Sequence, residues 1–170
     1  MKLLSLLTGL LIITTSFNSN SLSDRLCKYN EEIIFSFLLI KNKKIVSLCK
    51  DKQGDYLVYR FGTTEKVELE YPQKLDKTSW KTFKLYGAKR FGGKANAGFG
   101  DYNISFTNNG VTYKVFQNWN DEDETSDIGV DVTIDKKKVI LKGDIKSKQG
   151  SLIRLDDEQD KIKNTADDEE

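Results

Sequence analysis

Three segments of the sequence alternate polar and apolar side chains without an error, and this pattern constrains the fold more than any other feature. They are residues 66–71, 102–107 and 130–135. Strict alternation is typical of a β-strand that buries one face and exposes the other. Runs rich in β-branched and aromatic residues predict further strands at residues 33–40, 45–49, 56–61, 80–86, 111–119, 139–141 and 152–155.

Short turn signals separate these runs. The pair Asn109 and Gly110 is the strongest, because a type I′ hairpin turn requires positive φ at both central positions. Residues 135–138 predict another hairpin tip. Loops of two to five residues favour antiparallel neighbours over parallel crossovers. We therefore predict an all-β fold, an antiparallel meander of about nine or ten strands that forms either a barrel or a sandwich.

The N-terminus is typical of a secretory signal peptide over residues 1–21. Its apolar run, from Leu3 to Ile13, is shorter than the roughly 20 residues that a membrane-spanning helix needs. We predict that the segment is cleaved, that no transmembrane anchor remains, and that the protein is periplasmic or secreted. Arg25 and Leu26 precede Cys27 where a lipid-attachment site requires small residues, which argues against a lipid anchor.

Cys27 and Cys49 are the only cysteines. In an oxidising compartment an even number of cysteines favours a disulfide, and the alternative is a pair of buried thiols. Histidine is absent, which excludes Ser-His and Cys-His nucleophiles and histidine-ligated metal sites. We predict neither a metal site nor a cofactor.

The charge is unevenly distributed along the chain. Residues 156–170 hold eight acidic and two basic residues, which predicts a disordered acidic tail. The preceding antiparallel β domain, residues 22–155, holds 24 basic and 18 acidic residues and is therefore basic. Only four residues of the chain are arginines, and aromatic residues do not interleave with the lysine clusters, so we predict no nucleic-acid binding.

The most polar loop spans residues 118–127 and supplies the candidate binding residues. An aromatic side chain beside a run of carboxylates is typical of protein interfaces, and it predicts a protein partner with a basic surface. The alternatives are an irregular calcium site, although the EF-hand spacing is absent, and a solvated hairpin tip. The predicted binding residues are Trp119, Asp121, Glu122, Asp123, Glu124 and Asp127.

Two features leave alternatives open. Trp119 shares strand parity with Val111, Tyr113 and Val115, so it either anchors a partner or faces the core. Glu68 and Glu70 share one strand face and could be spaced as the carboxyl pair of a glycoside hydrolase. Residues 87–101 are rich in glycine but lack phosphate-loop spacing, and they predict a mobile crossover loop or bulges.

One segment of about 30 residues carries a resemblance. SLC, YLVYRFG and VELEYP occur in order within residues 44–72, and this pattern resembles a family of exported bacterial proteins of unknown function. The resemblance implies no catalytic residue, and it implies that five residues belong to the scaffold: Cys49, Tyr59, Arg60, Phe61 and Gly62. In size, compartment and single disulfide the chain is also similar in outline to periplasmic lysozyme inhibitors.

These observations predict an exported, non-enzymatic binding protein, such as an inhibitor or immunity protein that occludes an envelope-attacking enzyme. The alternative is a barrel or sandwich that holds a small apolar or sugar ligand, and a third hypothesis is a carboxylate-only hydrolase. A large internal cavity would favour the ligand, whereas a filled core would favour the partner. The sequence does not indicate an oligomeric state.

Overall fold

The structure is a computed structural model that describes residues 25–165. The predicted signal peptide, residues 1–21, lies outside the described residues, as do residues 22–24 and 166–170. Short 3₁₀ helices occupy Ser79–Thr82, Ile145–Ser147 and Leu152–Glu158. The strands are β1 (Glu31–Leu38), β2 (Ile45–Asp51), β3 (Leu57–Gly62), β4 (Val67–Tyr71), β5 (Lys84–Arg90), β6 (Phe99–Asn108), β7 (Val111–Asn120), β8 (Thr125–Ile134), β9 (Lys137–Lys142), β10 (Gln149–Gly150) and β11 (Lys163–Asn164).

The strands form two sheets, each built around an antiparallel meander. The first sheet has the order β10-β1-β2-β3-β4 and the second β11-β5-β6-β7-β8-β9. All pairs are antiparallel except β11 with β5, which is parallel. The predicted all-β antiparallel class is confirmed, with nine strands of five or more residues among the described residues, and the sheets form an open sandwich rather than a closed barrel.

One hydrophobic core joins the two sheets. Its two inner faces come from alternate residues of each strand, as the period of two requires. Aromatic rings fill one end of it: Tyr71 stacks on Phe106 with ring centroids 4.3 Å apart, and Phe106 stacks on Tyr113 at 5.0 Å. Other buried members are Phe35, Phe37, Leu48, Tyr59, Phe83, Tyr102, Ile104, Val115, Ile128 and Val130.

The hairpin turns follow the predicted chemistry. Asn109 and Gly110 both have positive φ, 50° and 78°, so the predicted turn between β6 and β7 is confirmed. Asp135 and Lys136, with φ of 48° and 66°, form the predicted tip between β8 and β9. Two-residue loops of this kind fix the register of the strands that they join.

One of the predicted strands is wrong, and another is wrong in part. Residues 152–155 lie entirely within the 3₁₀ helix Leu152–Glu158. The predicted strand 80–86 begins too early, because residues 79–82 form another 3₁₀ helix before β5 begins at Lys84. Leu152 and Leu155 are both fully buried, and a separation of three residues places them on one face of a 3₁₀ helix. The Ser151 hydroxyl accepts a hydrogen bond from the Ile153 amide and caps the N-terminus of the helix Leu152–Glu158.

The prediction of a disordered tail over residues 156–170 is wrong for residues 156–165. Glu158 and Ile162 are 8% and 5% exposed, and Lys163–Asn164 pairs with β5. The carboxylate of Glu158 accepts hydrogen bonds from Lys50 and Lys161, and Asp156 accepts one from the Tyr102 hydroxyl at 2.9 Å. Residues of the basic body therefore contact the carboxylates of Asp156 and Glu158, and these contacts cannot be read from the composition of the segment.

Deleting residues 156–170 is expected to lower the free energy of unfolding by about 2 to 4 kcal/mol, because Ile162 leaves the core and Lys50 loses a buried carboxylate. Urea unfolding followed by circular dichroism measures the change. Ile162→Ala should reproduce a large part of it, whereas the control Asp160→Asn, at an exposed position, should not. An unchanged urea midpoint in the deletion variant would contradict this packing.

No helix within residues 25–165 is long and apolar enough to cross a membrane.

Candidate functional site

The acidic loop forms the turn between β7 and β8. Asn120 pairs with Thr125, so Asp121–Glu124 form a four-residue tip, and all four side chains are exposed. We call these four residues the acidic tip. The predicted residue Asp127 lies outside it, on β8, opposite Asn118.

Trp119 and Asp127 face opposite sides of the second sheet. Trp119 has the parity of the buried residues Val115 and Gln117, whereas Asp127 lies on the outer face with its partner Asn118. The structure therefore brings Asp121, Glu122, Asp123 and Glu124 together but does not join Trp119 and Asp127 to them on a single surface.

The Trp119 ring is half-buried against the core. It stacks on Tyr102 with an interplanar angle of 11° and a centroid separation of 6.1 Å. The ring covers Gly100 so closely that a Cβ added at that glycine would lie 1.9 Å from Trp119 Cη2. Of the two alternatives for Trp119, the packing favours the core-facing one, and Gly100 is the residue that admits the ring.

Replacing Trp119 with alanine is expected to lower the free energy of unfolding by about 2 kcal/mol, less than for a fully buried tryptophan, because the side chain retains some exposure. The loss should appear in urea unfolding of the protein alone. Trp119→Phe keeps an aromatic ring against Tyr102 and serves as the control. A Trp119→Ala variant as stable as the wild type would show that the stacking contributes nothing.

Local hydrogen bonds hold the acidic tip in one conformation. Asn120 Oδ1 accepts from the Glu122 amide at 2.9 Å, and Asn120 Nδ2 donates to Asp123 Oδ2 at 2.8 Å. The Asp121 amide donates to the Gly98 carbonyl at 2.9 Å. The tip is therefore fixed both to its own hairpin and to the glycine-rich segment beside it.

The glycine-rich segment is more regular than its sequence predicts. Residues 87–90 belong to β5 and residues 99–101 to β6, so only residues 91–98 form a loop. A Cβ at Gly98 would lie 2.4 Å from Asp121 Oδ2, and one at Gly92 would lie 2.9 Å from the Gly98 amide nitrogen. These glycines let the loop lie close against the acidic tip.

Neither the carboxylates of the acidic tip nor Asp127 forms an ion pair with any other residue in the range 25–165. Five negative charges within seven residues repel one another, and no cation among the described residues offsets this repulsion. The tip carboxylates do not converge as three potential metal ligands in the described part of the chain. What the arrangement can do chemically is present a fixed negative surface to a basic group.

The only group of three potential metal-ligating side chains that converges within residues 25–165 consists of Cys27, Glu31 and Cys49. The two sulfurs are joined in the predicted disulfide, which is confirmed. The Glu31 carboxylate accepts two hydrogen bonds from Arg60, at 2.6 and 2.9 Å. The two sulfurs and the Glu31 carboxylate are therefore already bonded to other groups of the protein, and none of the three is left to bind a metal.

Sequence reasoning missed this buried ion-pair cluster. Arg60 is 1% exposed and also donates to Glu70 Oε2 at 2.6 Å, while the Tyr56 hydroxyl donates to Glu31 Oε1 at 2.9 Å. A charged residue within the β-rich run of residues 57–62 was the one available signal, since an arginine is rarely buried without a partner. The cluster binds the N-terminal segment to the first sheet, because Arg60 Nη1 also donates to the Leu26 carbonyl.

The carboxylates of the hydrolase hypothesis are held by cations. Glu68 pairs with Lys44 at 2.7 Å, and Glu70 pairs with Arg60. Each carboxylate is engaged by a cation, whereas the general acid of a glycosidase must be free to give its proton to the leaving-group oxygen. The geometry of this pair therefore lends the hypothesis no support.

Comparison of the chain with protein-family models, with curated proteins and with solved structures gave no match. The resemblance of residues 44–72 to an exported bacterial family stays a prediction.

Proposed function

We propose that the chain is an exported, non-enzymatic binding protein that uses the acidic tip to occlude a basic surface of a protein partner. An inhibitor or immunity protein directed at an envelope-attacking enzyme is the class that fits. The disulfide between Cys27 and Cys49 supports an oxidising compartment, in agreement with the signal-like sequence of residues 1–21.

The observation that carries the proposal is an ordered acidic surface whose carboxylates pair with no cation of residues 25–165. The acidic tip is held by two hydrogen bonds with Asn120 and by one to the Gly98 carbonyl, and its carboxylates are exposed. Preorganised charges lose little conformational entropy on binding, and complementary charge accelerates association. A basic partner would also relieve the repulsion among the four carboxylates.

The core of the sandwich supports a protein partner over an enclosed ligand. Aromatic rings of the two sheets contact each other directly across it, as Tyr59 and Phe106 do at 4.9 Å between centroids. The clefts near the disulfide and near Trp80, about 720 and 350 Å³ in volume, open to the surface and are lined mainly by charged and polar residues. An apolar ligand would be expected to occupy an apolar interior cavity.

The experiment is affinity capture from an envelope extract with the mature domain, followed by measurement of association rates for the captured partner. Neutralising the acidic tip by Asp121→Asn, Glu122→Gln, Asp123→Asn and Glu124→Gln should slow association about tenfold or more at low salt. The difference should shrink as the salt concentration rises, because charges at a surface are screened.

The matched control removes four exposed carboxylates elsewhere and so has the same net charge. Its association rate should stay within about twofold of the wild type. Equal rates for the tip variant and the wild type at low salt would overturn the assignment of this surface. The control substitutions are Asp55→Asn, Glu65→Gln, Asp157→Asn and Asp160→Asn.

A further inference from the structure

The outer edge of β9 is the most apolar exposed surface along the strands of the second sheet. Val139 and Ile140 are 57% and 53% exposed, although they lie in the middle of a strand. Ile134 in β8 and Ile40 beside β9 are 49% and 53% exposed. We call Lys137–Lys142, together with Ile40 and Ile134, the β9 edge. Several exposed aliphatic side chains close to one strand edge are typical of a binding surface.

The β9 edge carries backbone groups that no strand within residues 25–165 pairs. β9 is the last strand of its sheet and pairs only with β8. The Lys142 carbonyl accepts a hydrogen bond from the Ile40 amide at 3.0 Å, so the backbone groups of Lys142 point away from β8. Alternate residues of an antiparallel strand point the same way, and those of Lys138 and Ile140 therefore also point outward.

The protein's own chain already uses one end of this edge. The segment after β1 bridges Gly143 through Leu39, and the Asp144 amide donates to the Leu38 carbonyl at 2.8 Å. Beyond Ile40 the chain turns back into β2, so no further strand of residues 25–165 covers the rest of β9. A groove of about 250 Å³ lined by Leu39, Ile40, Ile140 and Leu141 continues the line of that segment.

Lysines surround the apolar centre. Lys138 pairs with the buried Asp131 at 2.6 Å. In contrast, five further lysines near the β9 edge form no ion pair with a residue of the described chain. Their positive charge is therefore available to a ligand. These lysines are Lys41, Lys136, Lys137, Lys142 and Lys146.

We propose that the β9 edge binds an extended polypeptide segment in which acidic and apolar residues alternate, added as a further strand of the second sheet. Lys138, Ile140 and Lys142 lie on the outer face of β9, while Val139 and Leu141 lie on its inner face. An added strand would set its acidic residues on the outer face beside Lys142 and its apolar residues beside Val139, and its backbone would pair with Lys138 and Ile140.

Charge and backbone chemistry favour this occupant over a second copy or a lipid surface. If the β9 strands of two copies paired antiparallel, lysines would lie opposite each other in each register. Lys138 would face Lys138 of the second copy in one register and Lys142 in another, and Lys136 would face Lys142 in a third. An anionic membrane would complement the lysines, but the outward N–H and C=O groups of the strand would enter it unpaired. This inference goes beyond the proposed function, because the β9 edge and the acidic tip are separate surfaces.

The test titrates the mature protein with a synthetic peptide of alternating glutamate and valine, followed by ¹H–¹⁵N NMR. Amide signals of Lys138 and Ile140 should shift and exchange more slowly with solvent when the peptide binds. The same peptide with lysine in place of glutamate should bind at least about tenfold more weakly at low salt. Equal binding of the two peptides, or shifts confined to other strands, would overturn the proposal.

Two variants separate the backbone from the charge. Ile140→Pro removes a backbone amide that faces solvent, a change that an edge strand tolerates. It should weaken binding of the Glu-Val peptide about tenfold or more. Lys136→Gln with Lys142→Gln should weaken binding of the Glu-Val peptide several-fold, whereas the control Lys66→Gln with Lys94→Gln should not. The charge pair keeps the test decisive if the proline variant does not fold.

The competing occupants are distinguished by two further measurements. If a lipid surface were the ligand, the protein would bind vesicles of phosphatidylglycerol and phosphatidylcholine in a ratio of one to three but would not bind the peptide. If a second copy were the ligand, sedimentation would show a dimer that Ile140→Pro disrupts. Either result would overturn the proposal. Neutralising the acidic tip should leave the affinity for the Glu-Val peptide unweakened, so the two proposals can fail separately.

Discussion

Replacing Arg60 with methionine is expected to lower the free energy of unfolding by about 3 to 5 kcal/mol, which is the cost of removing one partner of a buried ion pair. Three carboxylate oxygens, two of Glu31 and one of Glu70, accept hydrogen bonds from the Arg60 guanidinium. Methionine is of similar length but leaves the Glu31 carboxylate buried without a cation. Urea unfolding followed by circular dichroism measures the loss.

The control for this variant removes both charges. In the double variant Arg60→Met, Glu31→Leu, no buried charge remains unpaired, so much of the lost stability should return. A single variant as stable as the double variant would show that the ion pair contributes no coupling energy. Rescue by the double variant therefore separates the effect of charge from the effect of packing.

The same cluster predicts how stability depends on pH. Burial alone would raise the pKa of Glu31, but hydrogen bonds from Arg60 and from the Lys28 amide, with the charge of Arg60, hold it below its usual value of 4.5. A carboxyl whose pKa is lower in the folded chain stabilises the fold above its unfolded pKa, and this stabilisation is lost as the pH falls through the folded value.

We therefore expect the stability difference between the wild type and Glu31→Gln to be constant near neutral pH and to shrink below pH 4.5, where the unfolded carboxyl takes up a proton first. Urea unfolding at a series of pH values between about 3 and 7 measures it. A difference that does not vary with pH over this interval would contradict the lowered pKa.

Replacing Cys49 with serine is expected to lower the free energy of unfolding by about 3 kcal/mol, the value for a closed loop of this size. The disulfide joins positions 22 residues apart and tethers the irregular segment before β1 to β2. That segment also places the Leu26 amide against the Ser47 hydroxyl and the Leu26 carbonyl against Arg60. Loss of the disulfide should therefore weaken the Arg60 cluster as well.

Titration of thiols in the unfolded, unreduced protein checks the premise of this prediction, and we expect no free thiol. The double variant Cys27→Ser, Cys49→Ser should be as unstable as the single variant, because either substitution removes the same covalent bond. Two reactive thiols per chain in the mature protein would contradict the disulfide.

The strands could be predicted because their pattern is local. Alternation at residues 66–71, 102–107 and 130–135 matches β4, β6 and β8, and the Asn109–Gly110 turn specifies its own geometry. Whether the strands close into a barrel depends on edges that meet only in three dimensions. The choice of a sandwich over a barrel therefore had no local signal.

The C-terminal segment could not be predicted because its partners are distant in sequence. Its acidic composition conceals a spacing of three between Leu152, Leu155 and Glu158, all of which are buried. Lys50 lies 108 residues from Glu158, so no local window contains both charges. The amino-acid composition counts charges without showing which of them pair, and it therefore predicts disorder.

The candidate site was predictable in its charge but less so in its packing. The run of four acids at residues 121–124 identifies the acidic tip directly. Strand parity already offered a core-facing Trp119 as an alternative, and the presence of Gly100 opposite it decides the matter sterically. The unpaired backbone of the β9 edge depends on sheet order, which the sequence does not contain.

The return of the C-terminal segment to both sheets sets the order in which the protein can fold. β1 completes its pairing only with Gln149–Gly150, and Arg154 donates to Glu32 over a separation of 122 residues. A chain that emerges N-terminus first would therefore lack these contacts until residues 149–154 are free. Contacts between residues so far apart in the sequence slow folding, because a long loop must close before they form. The first sheet cannot reach its full set of pairings until Gln149 and Gly150 have emerged.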